Sequence, residues 1–335
     1  MFTLLFWLSV FFTLSPSFSE TFCPNISNGI ANNWITTKPI RIMQYNVEWL
    51  FVDYYAESDC PGNGCTWKNT SESEIHMDHV SDVIANLHPD IINLCEIEGC
   101  DELNLLNSKL GSLYRPYLVK GKDTSTGQNV GLLTKIPPSK NLFRTENRIT
   151  YPIVGSRCGY TGPSGTTGIS KHYITEFMIN SMNIAFISAH LLAFPTDSTR
   201  CAEREAQSMV LRDIISDYLE KKYEIIMLGD FNDFDENPLD SNDNIPLSQV
   251  LDILKINGTL SNVASKLPKS ERFSDWYDKN NDCKSVATEF SMIDHILVTK
   301  KILDKVSNIF IYQAYGEFCG KYDSDHYPVI LDLLL

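Results

Sequence analysis

Polar residues recur at the ends of apolar runs along this chain. Asn46 and Glu48 follow IRIMQY, Glu96 follows IINLC, and His190 follows IAFISA. The series continues with Asp230 and Asn232 after EIIMLG, Asp294 within SMIDHIL, and Asp325 with His326 just before YPVILDL. Taken singly, an Asp or Asn after a strand is most often a turn or cap residue, because its side chain closes a local turn. A single His is likewise more often structural than catalytic. The set as a whole is harder to dismiss. If the strands lie side by side, their ends converge on one cleft, where the carboxylates would repel one another unless a divalent cation bound among them. The histidines add groups that exchange protons near neutral pH.

The elements that must carry these residues are legible in outline. Ile40 to Val47 alternates partly, as a strand does. Val80, Val83, Ile84 and Leu87 recur at helical spacing, and the pattern stops at His88 and Pro89. Asp90 to Ile97 is almost uniformly apolar, the mark of a strand covered on both faces. Leu103, Leu106 and Leu110 predict a short helix closed by Gly111, and two strands surround Tyr117 and Leu132. The stretch from Ser139 to His172 reads as a long loop. Tyr173 to Ile179 and Met182 to His190 form a hairpin across Asn180 and Ser181, and a helix runs from about Cys201 to Lys222. Further strands are expected at 224–228, 291–298, 306–314 and 327–334. Strands outnumber helices and the apolar ones need cover on two faces. The expected class is therefore α/β, a four-layered sandwich of two stacked mixed β-sheets flanked by helices. No internal repeat or interior linker interrupts it.

The first residues carry an apolar run, Leu4 to Leu14, too short to span a bilayer and followed by the small residues of Ser15 to Ser19. This predicts a signal peptide over 1–19, one domain over 20–335, and no stable membrane insertion. Nine cysteines fit an oxidising compartment. Spacing does not determine connectivity; we expect Cys60 with Cys65, Cys158 with Cys201 and Cys283 with Cys319, leaving Cys95 free in its apolar strand. Sequons begin at Asn25, Asn69 and Asn257. The expected location is extracellular or the lumen of a secretory or endolysosomal compartment. Nothing in the sequence sets an oligomeric state.

A formal charge of −14 excludes a protein that coats nucleic acid by bulk electrostatics. An enzyme needs only local contacts, and a bound cation can supply positive charge. Lys140, Arg144, Arg148, Arg157 and Lys171 stand against Glu146 alone between 139 and 172, a local +4. Arg144, Arg148 and Arg157 are thereby candidates for phosphate contacts, although a solvated loop explains them equally well.

YNVE at 45–48, LCEIE at 94–98, SAHL at 188–191, GDFND at 229–233, IDHIL at 293–297 and SDHYPV at 324–329 resemble, in order, the motifs of the DNase-I-like endonuclease/exonuclease/phosphatase superfamily. The resemblance covers nearly the whole mature chain. It implies that Glu96 holds Mg²⁺ or Mn²⁺ with Asn46 nearby, that Asp325 supports the metal or its waters, and that Glu48 is a further metal-shell candidate. A structural Ca²⁺ is a second cofactor candidate. It implies that Asp230 and Asn232 position the attacking water and the phosphate and that Asp294 orients His326. His190 would contact the phosphate or protonate the leaving oxygen. Three positions depart from the pattern. Cys95 stands where many relatives have Gln, and Glu48 where abasic-site enzymes often have Asp. Gln128 and Asn129 lie where DNase I draws a glutamate partner for its first histidine.

Secretion favours an extracellular nuclease acting on nucleic acid, DNA first. A sphingomyelinase-type or inositol-phosphate enzyme is the alternative, with Trp49, Leu50, Phe51, Tyr54 and Tyr55 as a membrane-facing patch unless they are core. A non-enzymatic secreted binding protein is a lesser alternative, and every main position still keeps a competent side chain.

Overall fold

The computed structural model describes residues 23, 33–52, 66–280, 282–315 and 323–335. The expected signal peptide, the Cys60–Cys65 pair, Cys319, Tyr54, Tyr55 and the Asn25 sequon lie outside them.

Two six-stranded sheets form the centre. In the first, β1 (Ile40–Leu50) runs parallel to β2 (Ile91–Ile97). Beyond β1 lie β16 (Val329–Leu333) and then β15 (Val306–Ile311); beyond β2 lie β4 (Asn129–Thr134) and then β3 (Arg115–Leu118). In the second, β9 (Met182–His190) runs parallel to β10 (Glu224–Asp230). β14 (Asp294–Thr299) and β11 (Leu260–Asn262) lie beyond β10, and β8 (Lys171–Ile179) and β5 (Lys140–Phe143) beyond β9. The central four strands thus repeat one pattern, a parallel pair flanked by antiparallel neighbours: β16, β1, β2, β4 in one sheet and β14, β10, β9, β8 in the other.

Alternation along each strand sends successive side chains to opposite faces. Ile42, Leu132, Phe177, Phe186, Leu228, Ile296 and Val329 fill the space between the sheets. On the outer face of the first sheet, Met43 and Leu94 meet Met77, Val80 and Ile84 of α1 (Thr70–Leu87) and Leu103 of α2 (Cys100–Lys109). On the outer face of the second, Ile187 and Met227 meet Leu211 and Ile215 of α3 (Ser198–Glu220) and Leu254 of α4 (Val250–Lys255). The short α5 (Lys300–Leu303) follows β14. Each Leu or Ile buried this way contributes about 1.5–3 kcal/mol. The architecture is the four-layered α/β sandwich that the strand count predicts.

Several boundaries differ from expectation. α1 starts ten residues before Val80, because Asn69 Oδ1 accepts from Glu72 N at 3.0 Å and Asn69 Nδ2 donates to Glu72 Oε1 at 3.0 Å, a reciprocal cap. The Asn69 side chain is therefore engaged as a helix cap as well as opening a sequon. The helix ends at His88, left-handed at φ 50° before Pro89. The hairpin turn is as expected, Asn180 and Ser181 both having positive φ. The long loop is not structureless: besides β5 it contains the ribbon of β6 (Ile149–Tyr151) and β7 (Gly165–Thr167). The strand expected over 291–298 is split, its first part pairing as β13 (Phe290–Ser291) with β12 (Asp275–Trp276).

Cys158 pairs with Cys201 as expected, and Cys95 is free and buried. Cys23 pairs with Cys100, a bridge not anticipated, which fastens residue 23 to the first residue of α2. Cys283 is disulfide-bonded. Among the described residues, no helix is long and apolar enough to cross a membrane.

One glycine is dictated by close approach. Gly229 of GDFND lies at φ 152°, and a Cβ there would stand 1.8 Å from the Ala189 carbonyl oxygen on β9. Gly229→Ala is expected to cost about 3 kcal/mol or more, because backbone on both sides must move. Thermal unfolding followed by circular dichroism checks this, and an unchanged midpoint would contradict it.

Candidate active site

The C-terminal ends of β1, β2, β9 and β10 point the same way as the N-terminal ends of their antiparallel neighbours. Asn46, Glu96, His190, Asp230, Asp294 and His326 therefore meet at one end of the sandwich, three from each half of the strand pattern. Irregularities aim them. The β1–β2 register shifts between Asn46 and Leu50, and β2–β4 shifts between Cys95 and Ile97. Glu48, Trp49, Glu96 and Asn232 all hold positive φ, 46°, 52°, 66° and 49°. Such backbone costs about 1–3 kcal/mol per residue and gathers where geometry matters more than stability.

Asn46 joins the two sheets. Its Nδ2 donates to Glu96 Oε1 at 3.1 Å and to Asp230 Oδ2 at 3.0 Å, and lies 3.4 Å from His326 Nε2. Its Oδ1 accepts the Glu48 amide at 3.1 Å, which fixes the orientation of the carboxamide. The nitrogen faces the carboxylates, so here the Asn46 side chain is a donor that bridges Glu96 and Asp230, beside the carboxylate expected to hold the metal. Glu96 Oε2 accepts from Trp49 N at 3.1 Å and Gln128 Nε2 at 2.8 Å. Asp230 Oδ1 accepts from Asn232 N at 2.8 Å, and Asn232 Nδ2 is bound to Leu191 O.

His326 is held by a buried relay. Its Nδ1 lies 2.7 Å from Asp294 Oδ2, which also accepts from Ser274 Oγ at 2.9 Å. Asp294 Oδ1 accepts from Gln44 Nε2 at 3.0 Å, Gln44 Oε1 from Asn93 Nδ2 at 2.5 Å, and Asn93 Oδ1 from Tyr173 OH at 2.7 Å. The relay crosses the inter-sheet core, where each polar atom must find a partner. His326 Nε2 faces Asp230 at 3.9 Å, Asp275 at 3.8 Å and Asp325 at 3.8 Å. Burial opposes its charge, yet Asp294, Asp325 and Asp230 together raise its pKa well above the ordinary value.

His190 is the opposite case. Burial, then Lys171 and His326, hold its pKa well below the ordinary value. Lys171 Nζ donates to Gln128 Oε1 at 3.1 Å, lies 3.4 Å from His190 Nε2, and stands 3.9 Å from Asp123. His190 Nδ1 has no hydrogen-bond partner among the described residues. Gln128 serves Glu96 and Lys171, and the carboxylates facing His190 Nε2 are Asp230 at 3.5 Å and Glu96 at 3.9 Å.

The donor set fits a hard divalent cation. Glu96, His190 and Asp230 each offer an atom within 4.8 Å of the others, and Asp275, Asp325 and His326 form a second such group. Burial, followed by repulsion from Asp294, pushes the Asp230 carboxyl up to about 8. Burial likewise pushes Glu48 up to about 7, with Glu96 adding to it, while Thr66 Oγ1 and the Asp325 amide hold its two oxygens. Carboxylates this crowded favour a bound cation as the alternative to protons. Asp325 groups with Asp275 and His326 rather than with Glu96. Outside the cleft, the remaining group among the described residues is Cys158, Cys201 and Glu205, whose cysteines are joined, so no separate Ca²⁺ site is identified there.

The three arginines named as candidate phosphate contacts have partners of their own in the structure. Arg144 donates to the carbonyls of Lys120, Ile169 and Ser170, Arg148 to that of Thr166, and Arg157 pairs with Asp252. Three residues that the structure brings to the cluster were not singled out as site candidates in the sequence: Lys171, Asp275 and Gln44. Lys171 belonged to the basic stretch, and its place directly before the Tyr173 strand was the available signal. Gln44 interrupts an apolar strand, a polar residue that needed a partner.

Residues 43–326 match the model of the Endonuclease/Exonuclease/phosphatase family. Among curated proteins, none matches the chain. Among solved structures, truncated TDP2 from Caenorhabditis elegans is similar at a TM-score of 0.53 and 15% identity, covering 89% of this chain and 99% of that one. A humanized D. rerio TDP2 gives 0.54 at 15% identity, over 88% and 98%. An endonuclease/exonuclease/phosphatase family protein from Leptotrichia buccalis gives 0.51 at 16% identity, over 88% and 99%. At these identities the likeness is one of fold.

Proposed function

Since the chain belongs to the Endonuclease/Exonuclease/phosphatase family, we propose that it is a secreted, divalent-metal-dependent phosphodiesterase that hydrolyses nucleic acid, DNA first. The observation that carries the reading is the meeting of the Asp294–His326 pair with the Asn46-bridged Glu96 and Asp230 carboxylates in one cleft. Both disulfides described are compatible with secretion.

Mg²⁺ or Mn²⁺ held by Glu96 and Asp230 would bind a phosphate oxygen and offset its negative charge. The remaining work falls to the protein. Asp230, with Oδ1 fixed by the Asn232 amide and Oδ2 turned into the cleft, orients the attacking water. His326 Nε2, facing the same space while Asp294 fixes the ring through Nδ1, moves a proton there. The Lys171 ammonium beside His190 offers a fixed positive charge to the phosphate. Asn46 Nδ2 can trade its carboxylate partners for a phosphate oxygen.

Leu50 and Phe51 are buried in the core and so offer no surface to a membrane, which weakens the lipid alternative.

Incubation with supercoiled plasmid is expected to give nicked circles with Mg²⁺ and none with excess EDTA. Intact plasmid under both conditions, with hydrolysis of sphingomyelin or inositol phosphates instead, would overturn the nucleic-acid reading.

A further inference from the structure

The segment after His190 is held by an unusual clamp. Arg204 of α3 is fully buried, and its Nε donates to Asp233 Oδ2 at 3.0 Å. Its Nη1 donates to the carbonyls of Leu192, Ala193 and Phe194 at 3.1, 3.2 and 3.0 Å, and its Nη2 to that of Pro195 at 3.0 Å. Asp233 follows Asn232 directly, and Asn232 Nδ2 binds Leu191 O. The loop 192–195 is thus tied at one end to His190 and throughout its length to the GDFND segment. A buried ion pair that satisfies four consecutive carbonyls holds a backbone shape the loop would not keep alone.

What the clamp presents is Phe194. The ring is 62% exposed, and the residue sits at φ 70°, a region that bulky side chains rarely enter. The Arg200 guanidinium lies over the ring at 6.0 Å from its centroid, so one cation and one aromatic face stand together at the cleft end of β9. This combination suits a base and its phosphate.

We infer that Phe194 is a substrate-docking residue on which an unpaired nucleobase next to the scissile phosphate stacks, with Arg200 meeting the adjoining phosphate. The inference rests on the nucleic-acid reading above and adds a preference for strands with accessible bases. A flat ring face recognises any base, so stacking confers affinity without a sequence code.

The test compares wild type, Phe194→Ala, Phe194→Trp and Phe194→Leu on a single-stranded oligonucleotide and on one of equal length with abasic spacers flanking a single scissile site. Wild type should favour the base-bearing strand through KM. Phe194→Ala should raise that KM about tenfold with little change in kcat and should abolish the discrimination. Trp should restore it and Leu should not. Equal KM values for wild type and Phe194→Ala would overturn the inference, as would full rescue by Leu. So would a Phe194→Ala defect confined to sphingomyelin vesicles. A wild type that nicks plasmid but cleaves neither oligonucleotide would overturn it too, whereas one that cleaves neither plasmid nor oligonucleotide would sink the nucleic-acid reading beneath it.

Discussion

His326→Ala should reduce metal-dependent nicking by about a thousandfold, within the range that a positioned proton-transfer group supplies. Asp294→Asn should follow with a comparable loss. Asp294 Oδ2 serves both His326 Nδ1 and Ser274 Oγ, and Oδ1 is already taken by Gln44 Nε2. An amide there must either turn its NH₂ toward a donor or lose its hold on the imidazole, and the negative charge that favours the imidazolium disappears in both cases. The pH profile of Asp294→Asn should therefore shift its histidine-dependent limb to lower pH, since that carboxylate raises the His326 pKa. Single-turnover rates, with thermal melts to show that the variants fold, check this. His326→Ala retaining a tenth or more of wild-type activity would remove His326 from the chemistry.

Glu96→Gln should lower kcat/KM by about a hundredfold or more at fixed Mg²⁺ and move half-activation to higher Mg²⁺. The substitution keeps the shape that Trp49 N and Gln128 Nε2 contact but removes the charge. Its second readout is independent of turnover. Mg²⁺ should raise the wild-type melting temperature in proportion to site occupancy, and should not do so in the variant. A variant as active as wild type with an intact Mg²⁺ shift would show that the cation is held elsewhere.

Much of this site was readable because a strand end is a strong local signal. An apolar run broken by Asn, Glu, His or Asp announces where the chain leaves a sheet, and Asn46, Glu96, His190 and Asp230 all announce themselves so. The relay behind them was not readable. Gln44, Asn93 and Tyr173 come from three strands of two sheets, and their partnership exists only once the sheets stack. The partners that Arg144, Arg148 and Arg157 take in the structure were unreadable for a related reason. A guanidinium finds carbonyls or carboxylates wherever the fold offers them, and charge along the chain does not say which. The early start of α1 is written in the Asn69 and Glu72 pair, an N-cap residue followed three positions on by a glutamate.

The order of strands also bears on biosynthesis. His326 lies 280 positions after Asn46, and β16, which follows it, must slide between β15 and β1 before that histidine faces the cleft. A nascent chain that has already folded the second sheet carries Glu96, His190 and Asp230, yet has no His326 to set beside them. On the proposed mechanism, hydrolytic competence waits for that histidine. A polypeptide halted before His326 is expected to be inert toward nucleic acid.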